Sequence, residues 1–418
     1  MSRLSTTCLA LAAALGVASC VATPVSKQPV SQSAVVSASA SQAAPPDLVI
    51  LVSIDGFSPD YLGKGQTPVL DGLVAGGAFG PMRPSFPSVT FPNHYTLVTG
   101  LHPDHHGVVG NRFTDAQLGA FTMASKETGF WDQAEPIWVT AEKAGIRTGT
   151  MFWPGSEVEI HGVRPSHWMP FDQSMPGDAR VDRVLSWLDL PADQRPKLET
   201  LYFDIVDTAG HRYHPGGAET QAAVASVDAS MGRLVEGLKA RGLYDRTMLV
   251  VVSDHGMAAT SPDRVVWIDD IIDPAALKIG YGGAVLTADP APGREAEVQA
   301  KLVGRHPHME CWNKADVPAR LVYGSNPRVA QIVCLVETGW LTATRDRPVT
   351  RSGGAHGYDN QAPEMAAVFI AHGPGVVAGR RLTDLDSVDV QPFLARMLGL
   401  DAPAGDGRAA DTLPVTTP

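Results

Sequence analysis

Four runs of branched apolar residues constrain the fold of this chain more than any other feature. Leu48-Val-Ile-Leu-Val-Ser-Ile54 has no polar face and is rich in β-branched residues. A strand of that kind must be covered on both sides, as in a parallel sheet. Residues 201–206, entered from Thr200, follow the same plan, and so do 247–253 and 365–370. Segments of helical period lie between them, at 137–144, 178–188 and 219–240. In the last of these, Val224, Val227, Met231, Leu234, Val235 and Leu238 share one face, and Gly242 supplies a stop. Strands alternating with helices predict an α/β fold with a doubly wound, mostly parallel sheet. The stretch 264–345 breaks the rhythm with short apolar pieces punctuated by Pro and Gly. It reads as a smaller α+β insertion or cap within a domain spanning 47–400.

Open sheets of this kind bind ligands beyond the carboxyl ends of their strands. The first run ends in Ser53-Ile-Asp55-Gly56, and the second leads to Asp207-Thr-Ala-Gly-His211. The third ends in Ser253-Asp254-His255-Gly256, and Gly353-Gly-Ala-His356-Gly357 stands just before the fourth. Singly, each has an ordinary explanation. An Asp after a strand is a turn former or helix cap, and Asp207 and His211 could share a helical face by accident. Together they bring three Asp and three His to one sheet edge. Carboxylate with imidazole suits zinc and related divalent ions, and six ligands suffice for two of them. Two ions close together can clamp the attacking and leaving oxygens of an in-line displacement.

A hydroxyl nucleophile is expected nearby, in the segment 84–94 between a strand and a helical turn at 95–99. Ser85, Ser88, Thr90 and Thr96 compete for that role on physical grounds alone. The block Val89-Thr90-Phe91-Pro92-Asn93-His94-Tyr95, with Val98-Thr-Gly-Leu-His-Pro103 and His106-Gly107 after it, decides between them. It resembles bacterial members of the nucleotide pyrophosphatase/phosphodiesterase family, in the alkaline phosphatase superfamily. The resemblance runs from about 48 to 400. It implies an alkaline phosphatase-like core holding two zinc ions. Asp55, Thr90, Asp254 and His255 would bind one zinc, and Asp207, His211 and His356 the other. Thr90 would attack phosphorus and form a phosphothreonine intermediate on a nucleotide or nucleotide-diester substrate, releasing a nucleoside monophosphate. Asn111 would hydrogen-bond a non-bridging phosphate oxygen. Phe91, Phe171 and Tyr202 would bind the nucleoside, with Tyr202 and Phe171 as walls of a base slot.

Two positions depart from the family pattern. Ile205-Val206 precede Asp207 where many relatives carry Glu-Pro, and Arg112 follows Asn111. Arg112 bears on the alternatives, because a phosphomonoester needs more Lys or Arg around its terminal oxygens than a diester does. A phosphomonoesterase and a lipid-headgroup phosphodiesterase are the competing readings. A sulfatase is set aside, since the Cys/Ser-x-Pro-x-Arg pattern is absent at Thr90.

The formal charge of -11, from 33 basic and 44 acidic residues, argues against stable binding along a nucleic-acid backbone. It leaves a phosphate substrate open, because bound metal supplies positive charge locally. Arg3, the apolar run 8–17 and Val17-Ala-Ser-Cys20 read as an export signal ending in a bacterial lipobox, with Cys20 the lipid-anchored residue. Ordinary secretory cleavage nearby is the alternative. On this reading 1–20 is a signal segment, 21–46 a disordered tether and 401–418 a flexible tail. The mature protein would be exported, as a membrane-anchored lipoprotein of the periplasm. Cys311 and Cys334, the two cysteines within the domain 47–400, predict one disulfide.

Overall fold

A computed structural model describes residues 45–408 and Val415. The signal segment and Cys20 lie outside the described residues. So do all but the last two positions of the tether and most of 409–418.

A nine-stranded sheet crosses the domain. Its order is Arg380–Arg381, Ala78–Arg83, Ala367–His372, Thr247–Val252, Leu48–Ile54, Leu198–Phe203, Thr148–Met151 and His167–Met169, and Leu385–Asp386 also pairs with Ala78–Arg83. Leu48–Ile54 is central and parallel to both neighbours, with Val52 opposite Leu201 on one side and Val251 on the other. Its side chains alternate between two cores. Val49 and Leu51 join Trp138 and Phe393 on one face, while Ile50 and Val52 join Val224, Met231 and Leu234 of the long helix Ala218–Ala240 on the other. Covering on both faces is why the run carries no polar stripe.

Ala367–His372 is antiparallel to both of its neighbours, pairing Phe369 with Val252 and His372 with Leu249. It therefore enters the sheet at the edge where the parallel strands leave it. A loop that precedes this strand arrives where the others depart, and His356 is on that loop.

Three boundaries differ from the sequence expectation. The second strand is Leu198–Phe203, and Ile205–Tyr213 is a helix, so one apolar run serves a strand end and a helix start. Val206 is buried in the core, while Ile205 is exposed. The fourth strand begins at Ala367, because Pro363–Met365 forms a 3-10 turn. The helix expected over 95–99 is Thr90–Thr99, and Pro92 fits its first turn, where the missing N–H has no helical partner to lose.

Within 264–345 the chain builds a five-stranded antiparallel sheet. Its order is Leu277–Tyr281, Val285–Pro290, Ile332–Val336, Met309–Asn313 and Gly304–His306, and it has the helix Glu295–Lys301 and a core of its own. Cys311 and Cys334 oppose each other on adjacent strands and are disulfide-bonded. Residues 401–408, the start of the stretch read as a flexible tail, carry fixed contacts. Asp406 N–H donates to Gly100 O, its carboxylate accepts from His102 N–H, and Arg408 is paired with buried Asp389.

Candidate active site

The strand ends and the His356 loop converge on a cavity of about 740 Å³. Among the described residues, two groups of ligand-type side chains gather there: Asp207, His211 and His356, and Asp55, Asp254 and His255. Within each group the ligand atoms lie within 4.8 Å of one another. Asp207 and His211 do share a helical face, with His211 Nε2 3.4 Å from Asp207 Oδ1. Two close approaches make this geometry fit. Gly56 has φ +67°, and a Cβ there would meet Asp207 at 3.1 Å. A Cβ on Gly353 would lie 2.3 Å from His211 O, so glycine lets the His356 loop pass beneath that helix.

Five of these six side chains, all but Asp207, are held from behind. Tyr202 O–H donates to Asp55 Oδ2 at 2.6 Å, and Gly56 N–H donates to Asp254 Oδ1 at 3.2 Å. The other oxygens, Asp55 Oδ1 and Asp254 Oδ2, are buried without a hydrogen-bond partner, and so is Asp207 Oδ1. The three imidazoles are fixed alike. Nδ1 of His211, His255 and His356 meets the carbonyl of Gly354, Gly256 and Ser88 at 2.8, 2.9 and 2.9 Å. A ring donating from Nδ1 presents an Nε2 lone pair, the arrangement usual for metal-bound histidine. His211 Nε2 and His356 Nε2 then face each other at 3.0 Å as two acceptors. Orphaned carboxylate oxygens and converging lone pairs call for cations, so the donor set fits two divalent ions.

The electrostatics agree. Burial, with the charges of Asp254 and Asp207, pushes the Asp55 carboxyl well above the usual range. Burial likewise raises Asp207. Burial and the neighbouring His255 and His211 push His356 well down, which keeps it neutral and able to ligate. Burial alone would raise Asp254, yet the His255 and His94 imidazoles hold it well below the carboxylate range. His255 Nε2 stands 3.0 Å from Asp254 Oδ2, close enough for one cation to engage both.

Thr90 stands in the first turn of the helix Thr90–Thr99, with Oγ1 3.4 Å from His255 Nε2. Its rivals are occupied elsewhere. Ser85 Oγ contacts His102 and Ser387, Ser88 Oγ donates to Tyr358 O, and Thr96 Oγ1 contacts His106 Nε2. Asn111 Oδ1 accepts from Phe91 N–H at 2.8 Å, so what Asn111 can offer a ligand is its NH2.

Aromatic rings wall the rest of the cavity. Phe91 packs against Phe121 and Trp131, and Phe171 is 44% exposed, edge-on to Phe152. Tyr202 lines the cavity with Phe171 6.0 Å away, while its hydroxyl is committed to Asp55. Arg112 is exposed at the rim.

Residues 49–359 match the sequence profile of the type I phosphodiesterase / nucleotide pyrophosphatase family. The chain belongs to this family. By family it is a hydrolase of phosphoric diesters. A fission yeast protein described as an uncharacterized pyrophosphatase/phosphodiesterase is 37% identical over 393 residues, covering 88% of this chain and 80% of the yeast protein. Human ectonucleotide pyrophosphatase/phosphodiesterase family member 1 is 34% identical over 379 residues, 87% of this chain and 41% of its own length. The chain thus spans under half the length of that human relative. Murine ectonucleotide pyrophosphatase/phosphodiesterase 5, solved as an inactive Thr-to-Ala variant with AMP, superimposes with a TM-score of 0.83 at 33% identity. That match covers 88% of this chain and all of the murine one. These relatives are eukaryotic.

The family block also contains residues that sequence reasoning gave no role. Asn93 Nδ2 donates to the carbonyls of Ser85, Pro87 and Val89, clamping the loop that delivers Thr90. His94 contacts Ser53 Oγ at 2.8 Å and Thr90 O at 2.9 Å, and stands 3.3 Å from Asp254 Oδ2. Their signal was in plain view, as polar residues inside a block that is otherwise core. Arg180 had no such signal. It is buried 2.8 Å from Asp204 Oδ1, donates to the carbonyls of Met175 and Tyr202, and lies under the Phe152 and Phe171 rings.

Proposed function

We propose that this chain is a zinc-dependent nucleotide pyrophosphatase/phosphodiesterase that works through Thr90. The observation that carries this is the pairing of two triads of ligand-type side chains, each with an orphaned carboxylate oxygen turned inward, with the Thr90 hydroxyl beside His255. Asp55, Asp254, His255 and Thr90 would hold one zinc, and Asp207, His211 and His356 the other. Bound there, the ions would offset phosphate charge and lower the pKa of the Thr90 hydroxyl and of water. Thr90 Oγ1 attacks phosphorus, the bond to the leaving oxygen breaks, and a phosphothreonine remains until water releases the nucleoside monophosphate. The Asn111 NH2, oriented by Phe91 N–H, donates to a non-bridging oxygen. Phe91, Phe171 and the Tyr202 ring contact the nucleoside. The murine relative with AMP supports a nucleotide in such a site.

The motif at 17–20 supports a bacterial protein exported to the periplasm and anchored through lipid on Cys20. Labelling with a radioactive fatty acid, lost in Cys20→Ala, tests that part separately.

Activity is tested by offering the zinc-loaded protein an aryl phosphate monoester beside the aryl ester of a nucleoside monophosphate. The diester should be preferred at least tenfold, and preference for the monoester would establish the phosphomonoesterase instead. Thr90→Ala should lose turnover by about three orders of magnitude or more while retaining most of its zinc by elemental analysis. Turnover near the wild-type level would remove Thr90 as nucleophile.

A further inference from the structure

Most of the segment 401–408 is exposed, and polar contacts fix it. Asp406 N–H donates to Gly100 O at 2.8 Å. Asp406 Oδ2 accepts from His102 N–H at 2.7 Å and lies 2.7 Å from His105 Nδ1. Arg408 donates to the buried carboxylate of Asp389, from Nε at 3.1 Å and Nη2 at 2.6 Å. Glycines on either side of Asp406 let the backbone come this close. A Cβ on Gly405 would lie 2.7 Å from Gly100 O, and one on Gly407 would collide with Val388 O. The segment therefore bridges the end of the helix Thr90–Thr99 and the 3-10 turn Ser387–Asp389. Ser85 touches both of these regions, with Oγ 3.0 Å from His102 Nδ1 and 3.2 Å from Ser387 Oγ.

Ser85 opens the loop that ends on Thr90. Its N–H donates to Asn93 Oδ1 at 2.7 Å, and Asn93 Nδ2 returns to the carbonyls of Ser85, Pro87 and Val89. Further along the loop, Ser88 O meets His356 Nδ1 at 2.9 Å. One loop thus sets both Thr90 and the His356 ring. We propose that Asp406 and Arg408 are positioning residues for the reaction. Through His102 and Ser387 they hold Ser85, and through Ser85 they hold the loop 85–89 that presents Thr90 and orients His356. The inference rests on the proposed function, in taking Thr90 as the nucleophile. Neither Asp406 nor Arg408 lines the catalytic cavity. A displacement of a reacting atom by about 1 Å costs up to about two orders of magnitude in rate. A strap this far from the substrate therefore acts on turnover and not on affinity.

The test measures turnover well below the Tm of every variant, so that a loss is not unfolding. Asp406→Ala should lower kcat about five- to tenfold on a nucleotide diester and on a small aryl diester alike, with both KM values within about twofold. Arg408→Ala should act in the same direction. Asp406→Asn keeps an oxygen for the His102 N–H and should restore most of the turnover. In a Ser85→Ala background, Asp406→Ala should cost no further turnover, because the route through Ser85 is already cut. Without substrate, hydrogen exchange at the Ser85 and Val89 amides should quicken in Asp406→Ala while Leu48–Ile54 keeps its protection. An unchanged kcat, a full further loss in the Ser85→Ala background, or exchange that quickens equally in the central strand overturns the proposal. Failure of the parent reading looks different, since the wild-type protein would then turn over neither diester while the exchange difference at the loop remained.

Discussion

Asp55 and Asp254 each spend one oxygen on a neighbour and turn the other inward, which is how a buried carboxylate is made into a ligand. Glu199 shows the contrary case. It is fully buried on the strand Leu198–Phe203 between Ile50 and Gly149, neither oxygen has a hydrogen-bond partner, and no ligand group gathers around it. Burial pushes its carboxyl well above the usual carboxyl range. A carboxyl raised in the folded state binds its proton more tightly there than in the unfolded chain. Its cost to stability is therefore absent below the unfolded pKa and grows as pH rises toward the folded one. Glu199→Gln should melt close to the wild type near pH 4. The variant should become the more stable of the two toward pH 8, by about 1–3 kcal/mol. A constant difference across that range would mean that Glu199 is ionised through an unseen partner. At this scale the gathering of three Asp and three His at one edge was legible by residue type and by their place after apolar runs. The Tyr202 hydroxyl was not, because a tyrosine among aromatics reads as a ring.

The strands were legible because burial on both faces leaves a continuous apolar run, and the run at 48–54 is matched residue for residue. Two element-level facts escaped. Sequence carries no sign of strand direction, so the antiparallel entry of Ala367–His372, which brings His356 to the ligand edge, becomes visible only in the sheet. An apolar run also does not show where a strand turns into a helix, as at Phe203 and Ile205. The Phe171 wall is an element-level construction as well. Its N–H donates to Glu157, which is paired with Lys126 across the cavity mouth, while Arg180 and Asp204 hold the loop from below, with Gln173 bonded to Asp204. Arg180→Lys keeps the charge but loses the planar fork that serves three carbonyls and a carboxylate at once. The expected result is a KM about five- to tenfold higher for nucleotide diesters. Little change in kcat is expected, and none on an aryl diester that lacks a nucleoside. A fall in kcat on both substrates would instead place Arg180 in the support of the metal ligands.

Over the whole molecule, an acidic chain concentrates three carboxylates and three imidazoles at one edge of its sheet, and no Lys or Arg lies among them to offset the carboxylate charge. In the folded protein without metal, Asp55 and Asp207 are pushed up by burial and hold their inward oxygens without donors. The unfolded chain has no preformed site, so metal that binds only the folded state stabilises it by mass action. Each site at free zinc one hundred times its dissociation constant contributes about 2.7 kcal/mol. Two such sites in a domain of this size correspond to a rise in Tm of roughly 5–10 °C. Dialysis against a zinc chelator should lower Tm by that amount, and two equivalents of zinc should restore it. Magnesium should not, because it prefers all-oxygen ligands. Two adjacent strands of the five-stranded sheet are cross-linked by the Cys311–Cys334 disulfide, which a chelator does not touch, so the loss should fall on the main sheet. Hydrogen exchange separates the two regions. Deprotection confined to the ends of Leu48–Ile54, Leu198–Phe203 and Thr247–Val252 and to the His356 loop would place the metals where the orphaned oxygens point. A chelated protein with unchanged Tm and exchange would show that this edge folds without them, and the two-metal reading would fall.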